Sequence, residues 1–338
     1  MNKKRLNLII SLLIGLGIFG FFLYRLGPES ILLITRNINF FYLLIFFVLT
    51  TLTFFLIAWR WQVILRAYKK RVSFFTIVRQ TLAGYAVSYV TPFERLGGEP
   101  LRAYMLKKEA KVDLKTGISS IIMDKFVELT GAGLFGFLGW MMLLYLREVS
   151  SYLKLILALL LAFTFSLLFV FYYRTITGKG SFSSLFNFFR LYKIIKSENF
   201  FDVLENVEKK MKKFFSEHKK EFLFSFLIYL LYGIIVIFEF KFLFLSFGVD
   251  ASLIEIVLTI VVFGFVSFIP VPASLGFLEA GQSGLFMLLR GQGNIGFALS
   301  LILRLRALIF VAIGFAIISY FSGKQISSLR KNIKTLKT

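Results

Sequence analysis

The chain has 338 residues, 58% of them hydrophobic and 18% aromatic, and it carries 40 Lys plus Arg against 18 Asp plus Glu, a net charge of +22. An apolar share this far above the roughly 45–50% of soluble domains excludes an ordinary water-soluble protein. The absence of cysteine excludes disulfides, thiolate metal sites and Cys nucleophiles.

In chain order, six stretches have the length and apolarity of a membrane-crossing helix, about 20 residues for 30 Å of hydrocarbon. They are Asn7 to Leu26, Phe40 to Trp59, Gly117 to Leu146, Tyr152 to Tyr173, Phe222 to Phe247 and Gly296 to Phe321. Runs of Leu, Ile and Phe without alternation cannot line a polar barrel, so the fold class is all-α integral membrane. The first run follows Lys3, Lys4 and Arg5 as a signal peptide would, but it is too long for one and lacks a small-residue cleavage site. It reads as a retained helix.

Two further apolar regions are interrupted by Gly and Pro. One is Ser73 to Val90 followed by Thr91 to Lys108, and the other is Leu253 to Ile269 followed by Ser274 to Leu289. Basic residues cluster at Lys3 to Arg5, Arg66 to Arg71, Lys107 to Lys115, Arg174 to Lys220 and Lys324 to Lys337. If all of these face the cytoplasm, each interrupted region enters and leaves on one side. The regions 73–116 and 252–290 then become re-entrant broken hairpins, one from each side, whose tips can approach each other near mid-membrane, and both termini are cytoplasmic. The alternative is that one region spans fully and a basic loop lies outside. The predicted organisation is a single polytopic domain over 1–338 in the cell (plasma) membrane. Segment 182–221 alternates apolar positions such as Val207, Met211 and Phe214 with Lys and Glu, and reads as a helix lying on the inner leaflet. His218, among its lysines, is expected to be solvated.

Charges at membrane depth cost about 2.5–3.5 kcal/mol each on insertion scales and therefore mark polar paths or buried pairs. Asp124 and Glu128 are one helical turn apart and share a face, with Lys125 able to neutralise either. Arg304 and Arg306 project about 200° apart on an ideal helix, so at most one is expected to line a given cavity. Glu239 and Lys241 read as structural, with Lys241 snorkelling outward.

The densest constellation is Thr91-Pro-Phe-Glu-Arg-Leu-Gly-Gly-Glu-Pro-Leu-Arg102. Pro92 with Gly97 and Gly98 ends one helix, and Pro100 suits the first turn of the next. Glu99 and Arg102 can pair at a three-residue spacing, and Arg95 with Arg102 at a helix N-terminus can hold a phosphate. A capped cytoplasmic turn is the plainer reading. In the second break, Pro270 and Pro272 stop the incoming helix, Gly276 permits a tight turn, and Glu279 falls in an apolar half-helix where Arg304 or Arg306 is its partner. That pairing serves the fold or a ligand.

No HExxH, GxSxG, Walker loop or acidic metal cluster is present in the sequence, so neither catalysis, a metal nor a cofactor is expected. The basic balance suits anionic lipid headgroups, and no nucleic-acid motif accompanies it.

Taken together, Thr91-Pro92, Gly97-Gly98-Glu99-Pro100-x-Arg102-Ala-Tyr104, Asp124-Lys125 with Glu128, Pro270-x-Pro272-x-x-Leu-Gly276-x-x-Glu279 and Arg304 resemble the lysylphosphatidylglycerol synthase membrane region, the flippase-like part of multiple peptide resistance factors. The resemblance covers nearly the whole chain. It implies movement of a lipid between leaflets, in a stand-alone member from which the cytoplasmic synthase domain, and hence synthase activity, is absent. The segment Phe93-Glu94-Arg95-Leu96 departs from the Gly-rich version of the family. The partners implied are membrane lipids: an anionic or aminoacylated phospholipid, or a polyprenyl-linked or glycolipid. A homodimer is an expectation by analogy. The headgroup cavity is assigned to Glu99, Arg102, Asp124, Lys125, Glu128, Glu279 and Arg304, with Arg102 and Arg304 on phosphate and the carboxylates balancing them or meeting a cationic headgroup. The alternative is a membrane subunit or scaffold of a lipid or lipid-linked sugar transferase.

Overall fold

A computed structural model of the chain describes residues 3–92, 96–145, 151–180 and 198–335, and among these every regular element is helical. We number the helices α1 Lys3–Asn37, α2 Phe40–Ala67, α3 Phe74–Val90, α4 Glu99–Ala110, α5 Leu114–Tyr145, α6 Ser151–Thr177, α7 Glu198–Glu217, α8 Lys219–Ser246, α9 Leu253–Val266, α10 Phe277–Arg290 and α11 Gly293–Thr335. Six described stretches are long and apolar enough to cross a membrane: Leu16–Asn37, Phe40–Ala67, Leu114–Leu144, Lys154–Thr177, Lys219–Ser246 and Gly293–Gly323. These are the six spans read from the sequence. By contrast α3, α4, α9 and α10 have 17, 12, 14 and 14 residues. At 1.5 Å per residue each is about 18–26 Å long, short of a 30 Å hydrocarbon core.

The second helix runs past Trp59 to Ala67, and two other boundaries differ further from expectation. The first helix does not stop at Leu26 but runs through Pro28 to Asn37. Pro28 removes one amide donor, and the helix is held locally by Ser30, fully buried, whose Oγ lies 2.7 Å from Leu26 O and 2.9 Å from Asn294 O. The last helix likewise continues past Phe321 to Thr335. Positions 182–197 of the interfacial segment lie outside the described residues. Of the rest, 198–217 forms α7, whose Val207, Met211 and Phe214 are buried against Met123, Val127 and Phe171, while Lys219 to Glu221 begin α8. His218 is more enclosed than a solvated loop residue, its ring centroid 6.2 Å from that of Phe214 and its Nδ1 3.7 Å from the Glu221 carboxylate.

The helices sort into two compact units. The first comprises Met1–Asn39, Val78–Arg102 and Val262–Thr338, and the second Phe40–Ile77 and Ala103–Val261, with the boundary falling inside α3, α4 and α9. Lipid is as apolar as leucine, so helices in it associate by close packing at small residues rather than by the hydrophobic effect. In the first unit α11 approaches α3 at Gly314, where a Cβ would stand 2.5 Å from both Ala86 Cβ and Leu82 O. In the second, α2 packs along α8, and α5 and α8 interlock: a Cβ on Gly131 would lie 2.0 Å from the Tyr229 ring, and one on Gly233 2.1 Å from Phe135. Helix α6 exposes Leu155, Leu159, Phe163 and Phe169, an apolar surface suited to acyl chains.

Candidate functional site

The first unit holds both breaks. Helix α9 ends at Val266, the chain makes a short 3-10 turn at Pro272–Ser274, and α10 begins at Phe277. Ala273 and Ser274 take left-handed φ angles of 56° and 47°, unusual for residues with a Cβ, and Gly276 follows at 79°. Two prolines and a glycine foretold a break here, and it is sharper than they require.

Arg304 of α11 fastens this turn. Its Nε and Nη2 meet the two carboxylate oxygens of Glu279, the latter at 2.8 Å. Its Nη1 donates to Ala273 O at 3.1 Å and reaches Tyr89 Oη at 3.4 Å, and Nη2 also lies 3.5 Å from Ser274 O. Five donors thus have five acceptors, the full capacity of a guanidinium. Glu279 is completely buried and also accepts the Gly276 amide at 2.9 Å, closing the first turn of α10. Because Tyr89 lies in the last turn of α3 just before the first break, Arg304 touches residues beside both breaks.

At the first break, Pro92 and Leu96 to Gly98 lie in the turn between α3 and α4; Arg95, offered as a phosphate ligand, lies with Phe93 and Glu94 outside the described residues. Gly98 N donates to Ser88 Oγ at 2.8 Å, and a Cβ on Gly98 would fall 1.9 Å from Gly84 O. Glu99 and Arg102 pair as their spacing implied, at 2.8 Å, with Arg102 only 4% exposed. Its stem fills the space left by Gly84, where a Cβ would stand 2.7 Å from Arg102 Cγ.

Between α3, the end of α9, the second break and α11 lies a small cleft of about 20 Å³, lined among others by Tyr85, Tyr89, Phe263, Ser267, Arg304 and Arg306. Both arginines reach it, contrary to the expectation from their helical projection. An arginine side chain is long enough to bend round its helix, and Arg306 does so with its guanidinium 5.8 Å from the Phe263 ring centroid.

The second unit contains the other predicted charges, Asp124, Lys125 and Glu128, and a cation that sequence reasoning missed. Arg60 of α2, nearly inaccessible, donates through Nε to Asp124 at 2.7 Å and through Nη2 to Glu128 at 3.3 Å. Lys125 Nζ reaches Glu128 at 3.1 Å. Tyr229 lies 5.4 Å from the Arg60 guanidinium, and Trp61 donates to Ser120 at 3.1 Å beside it. Arg60 follows an apolar run directly, where a cation ordinarily snorkels into the headgroups; the only signal against that was the need of two intramembrane carboxylates for more than one lysine. Glu239 is also buried and bonded to Thr50 Oγ1 at 2.8 Å, whereas Lys241 pairs with Asp250 and the Ala251 carbonyl. The predicted site residues therefore form separate groups: Glu99 with Arg102 and Glu279 with Arg304 in the first unit, and Asp124, Lys125 and Glu128 around Arg60 in the second. Each group balances its own charge. Among the described residues no three His, Asp or Glu side chains converge as metal ligands.

Comparison with known proteins agrees with this architecture. A UPF0104 membrane protein of Methanocaldococcus jannaschii is 27% identical over 128 residues, 38% of this chain and 37% of that protein. Another, from Methanothermobacter thermautotrophicus, is 30% identical over 116 residues, 34% of each chain. The matched stretches thus span little more than a third of either relative. No solved structure matches the chain. The model of the lysylphosphatidylglycerol synthase TM region matches residues 8–314, nearly the full length, and the chain is a multi-pass membrane protein belonging to that family.

Proposed function

We propose that this protein is a flippase-like lipid transporter, not an enzyme, which moves a phospholipid, an aminoacylated phospholipid or a polyprenyl-linked or glycolipid between the leaflets of the cell membrane. The observation that carries the reading is the buried Glu279–Arg304 pair, which fastens the second break beside a small cleft that two arginines line in an otherwise apolar chain. Broken helices expose backbone groups and helix termini to a polar substrate while their flanks remain in lipid. In this reading the two interrupted regions re-enter, both termini are cytoplasmic, and a headgroup passes along the breaks while its tails stay in the bilayer. The charge pairs Glu99–Arg102 and Glu279–Arg304 keep the breaks open, and the Arg60 group keeps α2, α5 and α8 in register.

One observation favours the competing reading of a non-transporting subunit or scaffold of a lipid-modifying complex: the donors of Arg304 are all engaged within the chain. Reconstitution decides between them. Purified protein in liposomes containing fluorescent phospholipids of zwitterionic, anionic and aminoacylated headgroups is expected to accelerate the exchange of at least one class between leaflets. No protein-dependent exchange of any class, nor of a polyprenyl-phosphate probe, sinks the transporter reading in favour of the scaffold.

A further inference from the structure

Four membrane-length helices of the second unit reach one end of it together: α2 stops at Ala67, α5 starts at Leu114, α6 stops at Thr177 and α8 starts at Lys219. Contacts hold these ends side by side. Lys70 Nζ lies 4.0 Å from the Asp113 carboxylate, and Lys210 Nζ donates to Thr116 Oγ1 at 2.9 Å. The Tyr68 ring lies 5.7 Å from that of Phe214, and a Cβ on Gly178 would stand 2.6 Å from Lys212 Nζ. Three basic segments far apart in sequence thereby become one surface. Residues 66–71, 107–115 and 209–220 together hold fourteen Lys and Arg against three Asp and Glu, and Lys69, Arg71, Lys107 and Lys111 are all exposed. Pairs such as Lys209–Glu205 and Lys213–Glu217 are themselves exposed and leave the excess of positive charge in place.

The sequence reading has α7 rest on lipid by its apolar face, but that face is spent inside the unit. Val207, Met211 and Phe214 pack on Met123, Val127 and Phe171, and no apolar side chain among those described on α7 is exposed. What its C-terminal half turns outward is Lys209, Lys212 and Lys213. The surface can therefore hold a membrane by charge but not by insertion. Its place selects the partner, because the cations stand where the spans end, at the depth of lipid headgroups, beside the exposed side chains of Leu114 and Tyr173. A soluble acidic protein would leave those apolar neighbours in water.

We infer that this end of the second unit is a binding surface for the anionic headgroups of phospholipids in the leaflet it faces, and that it gathers such lipids around α2, α5 and α7 by electrostatic attraction alone. Its cations act collectively, each adding a modest attraction that ionic screening removes. The inference does not depend on whether the chain moves lipid.

The test reconstitutes the full-length protein in phosphatidylcholine bilayers carrying a trace of spin-labelled phosphatidylglycerol or phosphatidylcholine, and electron spin resonance reads how strongly each label is held at the protein surface. Phosphatidylglycerol is expected to be preferred by about threefold at low salt, and the preference to vanish at about 1 M salt, where the Debye length is about 3 Å. The variant K69Q/R71Q/K107Q/K111Q is expected to lose about half of the preference with an unchanged melting temperature. R25Q/R36Q, which removes two exposed cations of α1 in the first unit, is expected to keep all of it. If the fourfold variant melts early, K107Q/K111Q decides, with a smaller loss expected. An equal hold on both labels overturns the inference, as does a preference that survives salt, one that the variants in the surface retain, or an equal loss in R25Q/R36Q. Displacement of the label by millimolar glycerol 3-phosphate or micromolar polyglutamate overturns the assignment to a membrane and gives the surface to a soluble anion instead.

Discussion

The Arg304 and Arg60 groups place similar charges in helices of opposite kind. Arg60 lies within α2 and meets Asp124 and Glu128 on α5, both continuous helices whose backbone bonds are satisfied internally. Arg304 faces a break, and besides Glu279 it serves the carbonyls of Ala273 and Ser274, which no helix satisfies. In lipid an unsatisfied carbonyl has no water to turn to. The same residue type therefore balances charge in one unit and replaces missing backbone bonds in the other.

Substitution at the two arginines sharpens this contrast most. Arg304→Gln leaves Glu279 buried without its cation, a loss of about 3–5 kcal/mol, and releases the turn as well. Thermal melting should show a large drop, and amide exchange should accelerate across 267–276. Arg60→Gln should cost about 3 kcal/mol by the same reasoning for Asp124 yet leave exchange at 267–276 unchanged. Equal exchange in both variants would erase the distinction. A smaller effect is expected at the first break: Gly98→Ala drives a methyl against the Gly84 backbone and should destabilise by about 1–3 kcal/mol, whereas Gly284→Ala, which meets open space within α10, should be neutral or slightly stabilising. Ala273→Gly relieves a left-handed residue and should raise stability by up to about 1 kcal/mol, with the turn geometry intact if Arg304 sets it.

The smallest effect belongs to Asp113, which caps α5 through the Thr116 amide at 2.9 Å, outside the apolar stretch. Partial burial pulls its carboxyl upward, but hydrogen bonds from Thr116 and the charges of Lys210 and Lys70 outweigh it and hold it below the usual carboxylate range. A carboxyl depressed in the folded state stabilises above its unfolded pKa and ceases to do so as pH falls through the folded one. Asp113→Asn should therefore lower the melting temperature slightly at neutral pH, and the gap from the unmodified chain should close on acidification. A gap that widens in acid would contradict the assignment.

What the sequence made legible follows from range. Apolar runs, prolines and glycines act over a few residues, so six spans, two breaks and the Glu99–Arg102 pair could be read directly. Glu279 announced its need for an arginine, and the choice lay between two. Arg60 was hidden because its partners are more than 60 positions away and its own surroundings are those of an ordinary flanking cation. The extent of α1 was misread because Gly27-Pro28 is a stop signal in isolation, and only the remote carbonyl of Asn294 on Ser30 shows why the helix proceeds. Arg306 was misplaced by an ideal projection that follows the Cα positions and ignores the length of the side chain.

The interlock of Gly131 with Tyr229 has a consequence for how such a protein can change. Tyr229 both fills the notch at Gly131 and covers the Arg60 guanidinium. A lineage that enlarges position 131 has to shrink position 229 in step, and the aromatic roof over the arginine then disappears. Among related chains, these three positions are expected to vary as a linked set: a bulky residue at 131, a small one at 229 and an altered charge at 60 should be found together or not at all.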